Sequence, residues 1–235
     1  MRKKPAQMGP RRAVVYDRER WEILSQLRAI ASEIMLELEK HNIPSIVHGS
    51  IARGDVTRDS DVDVFIPYLV KSFQVEFALS DYDVIERKLV QATPLSLIKA
   101  HLILQENVMV TFPVIEPQRR ELEFYRFGGA VSLKELRENK RVPGVDKRLM
   151  LIEPNEDGHI EIPLSELSPG RVAKIVGVSQ DIVEERMRVL QRRAEIGRTG
   201  VYLERVLSRE ENFETVLNEI AAADPAIRRR INWMQ

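Results

Sequence analysis

The sequence predicts an α+β protein in two domains, and three observations carry that reading. A long helical apolar stripe runs from Trp21 to Leu38, short strand-like segments fill the middle of the chain, and two amphipathic helices separated by a glycine follow a hairpin near residue 155. The 235 residues suit one large domain or two modest ones. A hydrophobic content of 43% supplies a core and excludes wholesale disorder. No run approaches the roughly 18 apolar residues that cross a bilayer. The opening MRKKPAQMGPRR is basic but leads into no apolar run, so no secretory signal is expected. The absence of cysteine excludes disulfides, a thiolate nucleophile and cysteine-ligated zinc. The expectation is a cytoplasmic protein with no membrane partner. Lys+Arg and Asp+Glu both number 36, so any electrostatic argument must be local.

Residues 1–16 read as a basic arm, with five Lys/Arg and no acid in the first twelve. Trp21, Leu24, Leu27, Ala31, Ile34 and Leu38 then recur at three- and four-residue steps, the helical spacing. Asp17 is suited to cap that helix, and Asn42 with Pro44 to end it. Ile46-Val47 running into His48-Gly49-Ser50 predicts a short buried strand and a tight turn. Asp61 to Pro67 alternates acidic with apolar side chains, the pattern of a strand with one wet face. Residues 72–79 alternate weakly and predict a strand, and Tyr82 to Gln91 a helix. His101–Gln105 and Val108–Val114, joined at Glu106-Asn107, predict a hairpin. A second hairpin is expected from Arg148–Glu153 and His159–Pro163 around the turn-forming Pro154-Asn155-Glu156-Asp157-Gly158. Helices over 170–177 and 180–195, a short strand at Val201 to Leu203 and a helical tail after Glu211 complete the reading. The domain boundary falls between about 130 and 147, near Pro143-Gly144, giving domains over 17–140 and 141–235.

Chemistry concentrates in residues 48–65, HGSIARGDVTRDSDVDVF. Asp61 and Asp63 stand two apart on one strand, so both carboxylates project from the same face, about 6–7 Å apart. Two like charges there repel unless a cation lies between them. Hard oxygen donors of this kind suit magnesium, or manganese, bound together with substrate phosphates. Gly49-Ser50 lets the backbone approach a phosphate closely and offers amides and a hydroxyl to the anion.

Gly49-Ser50, Ala52-Arg53-Gly54 and Ser60-Asp61-Val62-Asp63 together resemble the signature of the DNA polymerase beta-like nucleotidyltransferase superfamily. The spacing is close to that of the small minimal nucleotidyltransferases, with the archaeal CCA-adding enzymes as distant relatives. Strict resemblance covers about 20 residues, and architectural resemblance residues 17–116. The resemblance implies a small mixed sheet with helices on one side. It also implies attack by a hydroxyl or other nucleophile on the alpha-phosphate of a nucleoside triphosphate, with release of pyrophosphate. By position, Gly49 and Ser50 would contact the triphosphate, and Asp61 and Asp63 would hold Mg2+ or Mn2+. Arg53 or Arg58 would neutralise phosphate charge, unless either is simply a solvated loop arginine. One departure stands out: the family takes a third carboxylate from a later strand, and the matching VMVTFPV at 108–114 carries none. Val110 and Thr111 fall where it is expected; Glu76, Glu106 and Glu116 are the outside candidates.

In the second half, Ala173, Gly177 and Val183 have the spacing of a helix-turn-helix, and Gly197-Arg198-Thr199-Gly200 suits the start of a wing. The segment resembles the winged helix-turn-helix domains of transcription regulators. Residues 170–200 carry seven Lys/Arg and four Asp/Glu. Arg186, Arg192, Arg193 and Arg198 are placed to reach phosphates of a nucleic acid, whereas Asp181, Glu184 and Glu185 oppose entry of the second helix into a groove. The alternative is a packing or homodimerisation module. Phe124, Tyr125 and Phe127 form either interior packing or a base-stacking surface. Two functions therefore follow: a magnesium-dependent nucleotidyltransferase with a nucleic-acid or protein acceptor, or a catalytically reduced relative acting as a nucleotide-sensing DNA-binding regulator.

Overall fold

A computed structural model describes residues 8–197 and 200–232. In chain order the strands are β1 (Arg12–Val15), β2 (Ile46–His48), β3 (Val62–Phe65), β4 (Glu86–Gln91), β5 (Ile98–Gln105) and β6 (Val108–Pro113). They continue with β7 (Ala130–Ser132), β8 (Gly144–Val145), β9 (Met150–Asn155), β10 (Gly158–Pro163) and β11 (Leu203–Leu207). The helices are α1 (Arg18–Lys40), α2 (Ser50–Arg53), α3 (Ser72–Ala78), α4 (Arg119–Phe127) and α5 (Leu133–Arg137). After them come α6 (Pro169–Val176), α7 (Gln180–Ile196), α8 (Phe213–Ala223) and α9 (Pro225–Asn232). No helix among the described residues is long and apolar enough to cross a membrane. The chain forms two compact units, each assembled from separate stretches of sequence.

The first unit takes its described residues from 1–32, 47–60 and 122–199. Its sheet has the order β1-β10-β9-β8, all neighbours antiparallel. The predicted hairpin is β9–β10, with Asn155 opposite Gly158. The end of the expected basic arm is thus a sheet strand, β1, while residues 1–7 lie outside the described residues. Leu149, Leu151, Ile162 and Leu164 from around this sheet bury against Val172, Ala173 and Val183 of α6 and α7. Ser168 caps α6 with Pro169 in its first turn, and Gly177 ends it in the left-handed conformation (φ 70°). The turn is made where the sequence puts it.

The second unit takes residues 33–46, 61–121 and the described part of 200–235. Its strands run β11-β4-β5-β6-β3, antiparallel except for the parallel β6–β3 pair. Phe112 meets Phe213 of α8 edge to face at 5.7 Å, and Glu214 accepts from the backbone and hydroxyl of Ser72 at the start of α3.

Three segments differ from expectation. Within residues 72–79, Ser72–Ala78 forms helix α3: Val75, Ala78 and the capping Leu79 are buried at helical spacing, while Phe73 and Phe77, which make the segment look alternating, face solvent. Glu86–Gln91 is a strand because β5 and β11 bond to it on both sides, and that pairing outweighs the helical preference of its Glu-Arg-Lys run. The strand expected at Val201 to Leu203 begins at Leu203 and pairs with β4, and the expected wing start at Gly197-Arg198-Thr199-Gly200 falls partly outside the described residues.

Glu161, 4% exposed, ties the first unit's sheet together by accepting from Arg12 and Arg148. Burial alone would raise its pKa, but the two guanidiniums outweigh burial and hold it at about 2. Its folded value lies below the ordinary carboxylate value, so the stabilisation is present above about pH 4.5 and lost as pH falls towards 2. Acid titration of urea unfolding is expected to show a loss on the order of 2 kcal/mol across that window, flattened in Glu161→Gln.

Candidate functional site

The sequence-predicted residues divide between the units. Gly49, Ser50 and Arg53 belong to the first, Asp61 and Asp63 to the second. Gly49 follows β2 with φ 74° and ψ −140°, a conformation that a residue with a Cβ adopts only under strain. A Cβ built there would meet nothing within 4 Å, so open space adjoins the backbone. The Gly49 amide donates to Gly129, which fixes the turn. Ser50 begins α2, and its hydroxyl lies 3.3 Å from that of Ser60. Ser60 in turn accepts from the Thr57 amide at 2.9 Å.

Arg53 is 5% exposed. Its guanidinium bonds the Gly128 carbonyl at 2.6 Å and pairs with Asp55 at 2.9 Å. These contacts make it a bracket for the loop. Arg58 is exposed and paired with Glu19. His48, at the end of β2, packs edge to face on Tyr125 at 4.8 Å.

In the second unit, Val62 and Val64 of β3 are buried, while Asp63 is half-buried and Asp61, just before the strand, is exposed. The Thr111 hydroxyl donates to Asp63 Oδ1 at 2.6 Å. His101 Nδ1 lies 2.9 Å from the same hydroxyl oxygen. Thr111 spends its proton on Asp63, so the imidazole is assigned the tautomer that donates from Nδ1. Burial first, and then the charge of Lys99, push the His101 pKa down to about 4, so the ring is neutral near pH 7. The chain Asp63–Thr111–His101 crosses three adjacent strands, β3, β6 and β5. By sequence Thr111 marks only the place of a missing acid, and His101 is an isolated histidine with no second one spaced to form a zinc site. The register of β5 against β6, which sets His101 opposite Thr111, was the signal that would have found it. Of the outside acids, Glu76 sits on α3 paired with Arg87, and Glu106 and Glu116 are exposed.

Asp61, just before β3, and Asp63, within it, are hard oxygen donors two residues apart, and such donors suit a divalent cation that shares its coordination with a phosphate ligand. Among the described residues no three His, Asp or Glu side chains gather into an all-protein metal cage. Residues 28–125 match the family model of the nucleotidyltransferase domain. The matched stretch holds Gly49-Ser50, the Asp61-Val62-Asp63 strand and Thr111, and the general chemistry of such a domain is nucleotidyl transfer. No curated protein and no solved structure matches the chain.

Downstream of the matched stretch, the expected phosphate-binding arginines separate. Arg186 stacks over Phe124 at 4.9 Å, and its Nε is buried without a hydrogen bond. Arg192 and Arg193 are exposed on α7, and Arg198 lies outside the described residues. Tyr125 and Phe127 are interior residues, which assigns most of that aromatic cluster to packing.

Arg53→Ala is expected to lower stability by about 3 kcal/mol, because Asp55 is left buried without its cation. Asp61→Asn, at an exposed position, is expected to stay within about 0.5 kcal/mol of the parent in the same urea denaturation series.

Proposed function

We propose that the protein is a divalent-metal-dependent nucleotidyltransferase that moves a nucleotidyl group from a nucleoside triphosphate to a nucleic-acid or protein acceptor. The observation that carries this reading is the pair Asp61, just before β3, and Asp63, within it and held by Thr111, inside a stretch that matches the nucleotidyltransferase domain. Gly49 offers open backbone and Ser50 a hydroxyl to the triphosphate. Asp61 and Asp63 would hold Mg2+ or Mn2+, which supplies charge neutralisation at the reacting and leaving oxygens.

In the reaction the acceptor oxygen forms a bond to the alpha-phosphorus, and the bond to the bridging oxygen of pyrophosphate breaks. Thr111 contributes orientation: with its proton committed to Asp63, the carboxylate keeps one rotamer. Neutral His101 locks Thr111 from behind. Without a third carboxylate the site forgoes general-base assistance of roughly 10²–10⁴-fold, while positioning and charge neutralisation remain.

A second reading, a nucleotide-sensing regulator that binds nucleic acid, draws on that hydroxyl in the place of an acid and on Arg192 and Arg193 exposed on α7. In the same reading α6 and α7 serve as a helix-turn-helix and the protein as a homodimer.

Incubation with each alpha-labelled triphosphate, cellular RNA, DNA and protein, and Mg2+ or Mn2+ tests the leading reading. Label is expected in one acceptor class, with Asp61→Asn and Asp63→Asn reducing it to background and Thr111→Val reducing turnover about tenfold, the size of a lost hydrogen bond to a charged group. Absence of transfer from all four triphosphates would leave the regulator. For that reading, filter binding of a mixed duplex across a salt series is expected to lose about 2 from the log–log slope in Arg192→Ala/Arg193→Ala. An unchanged slope would remove nucleic acid as a partner of α7.

A further inference from the structure

A second cluster of chemistry lies apart from Gly49-Ser50 and is lined by Trp21, Ser25, Arg28, Arg137, Asn139 and Arg141, together with aliphatic side chains. The cleft has a volume of about 380 Å³. Three of these residues are cationic, and among the described residues none of the three pairs with a carboxylate. Arg28 is 7% exposed, and its Nε and Nη2 donate only to the carbonyls of Ile51, Ala52 and Lys140. Arg141 donates to the carbonyls of Gly158 and Asn155 and lies over the Trp21 ring at 4.8 Å. Arg137 is exposed.

Carbonyl dipoles leave the net charge of such a cluster in place. Taking guanidiniums out of water without a counter-ion is costly, and a second cation nearby adds to the cost. Burial first and Arg141 second lower the Arg28 pKa to about 10, so the side chain is still charged near neutrality. Guanidinium groups match phosphate oxygens in geometry as well as in charge. Trp21 adds an aromatic wall, Ser25 and Asn139 add polar contacts, and the volume falls within the range of small-ligand sites.

We propose that this cleft binds a phosphate monoester carried on an organic body of mononucleotide size, with the phosphate on the arginines and the body against Trp21. The inference does not depend on the transferase reading. Titrating the full chain, carrying Trp233→Phe, with AMP while following the emission of Trp21 tests it. AMP is expected to change the emission saturably, inorganic phosphate to compete, and adenosine to have no effect. Arg137→Glu, at an exposed position, is expected to weaken AMP at least tenfold, and Asp63→Asn to leave its affinity unchanged. Equilibrium dialysis of labelled AMP against the unaltered chain reads the same affinity without altering a tryptophan. No saturable binding by either method, equal binding of adenosine, or an affinity indifferent to Arg137→Glu overturns the proposal. Loss of AMP binding in Asp63→Asn overturns it as well, because the nucleotide would then be at the proposed transferase site.

Discussion

The parallel pairing of β3 with β6 is the constraint on which the chemistry of the second unit rests. It sets Asp63 opposite Met109 and Phe65 opposite Thr111, which brings the Thr111 hydroxyl within 2.6 Å of the Asp63 carboxylate. The antiparallel pairing of β5 then places His101 opposite Thr111. Thr111 is fully buried, so its hydroxyl must be satisfied, and both partners it finds are side chains from neighbouring strands. A one-residue slip in either register would turn these side chains to the opposite face and leave buried polar atoms unmatched. The register and the polar chain therefore specify each other.

The first unit solves a different problem, that of holding an open glycine turn without filling it. Gly49 keeps empty space beside its backbone, so the support comes from below. Arg28 bonds the carbonyls of Ile51 and Ala52, and Arg53 bonds Gly128 and pairs with Asp55. Gly54, with φ 98°, ends α2 in the left-handed region, and Arg141 covers the side that a Cβ would occupy. Arginine suits this work because one planar group reaches several carbonyls at once. The same demand explains why Arg53, close to Gly49-Ser50, is spent on the scaffold.

Much of this was legible in the sequence where local pattern and tertiary burial agree. The stripe from Trp21 to Leu38, the turn at Glu106-Asn107, the Asn155–Gly158 turn and the left-handed Gly177 each carry a local signal that the fold obeys. The illegible parts are those decided by partners distant in sequence. Glu86–Gln91 is a strand because of β5 and β11, the latter more than a hundred residues away. Residues 72–79 hide a helix because Phe73 and Phe77 are apolar yet exposed, which breaks the rule that apolar spacing reports burial. His101 reads as isolated in the sequence because such a histidine acquires meaning only from the strand beside it.

Thr111 also changes the electrostatics of the carboxylate strand. A third acid in its place would stand against Asp63 at hydrogen-bonding distance, and like charges that close are tolerated only when cations are present or one group is protonated. A hydroxyl removes that repulsion. Lys99, attracted to Asp63 and to Glu121, offsets part of the remaining negative charge, although burial lowers its own pKa. Two carboxylates near a lysine attract a free divalent ion less strongly than three carboxylates would. A phosphate ligand that brings oxygens and charge of its own would restore what is missing, so metal and triphosphate are expected to bind best together. On these electrostatics a hydroxyl in place of an acid would make a metal at Asp61 and Asp63 conditional on the nucleotide, with β3 left undisturbed.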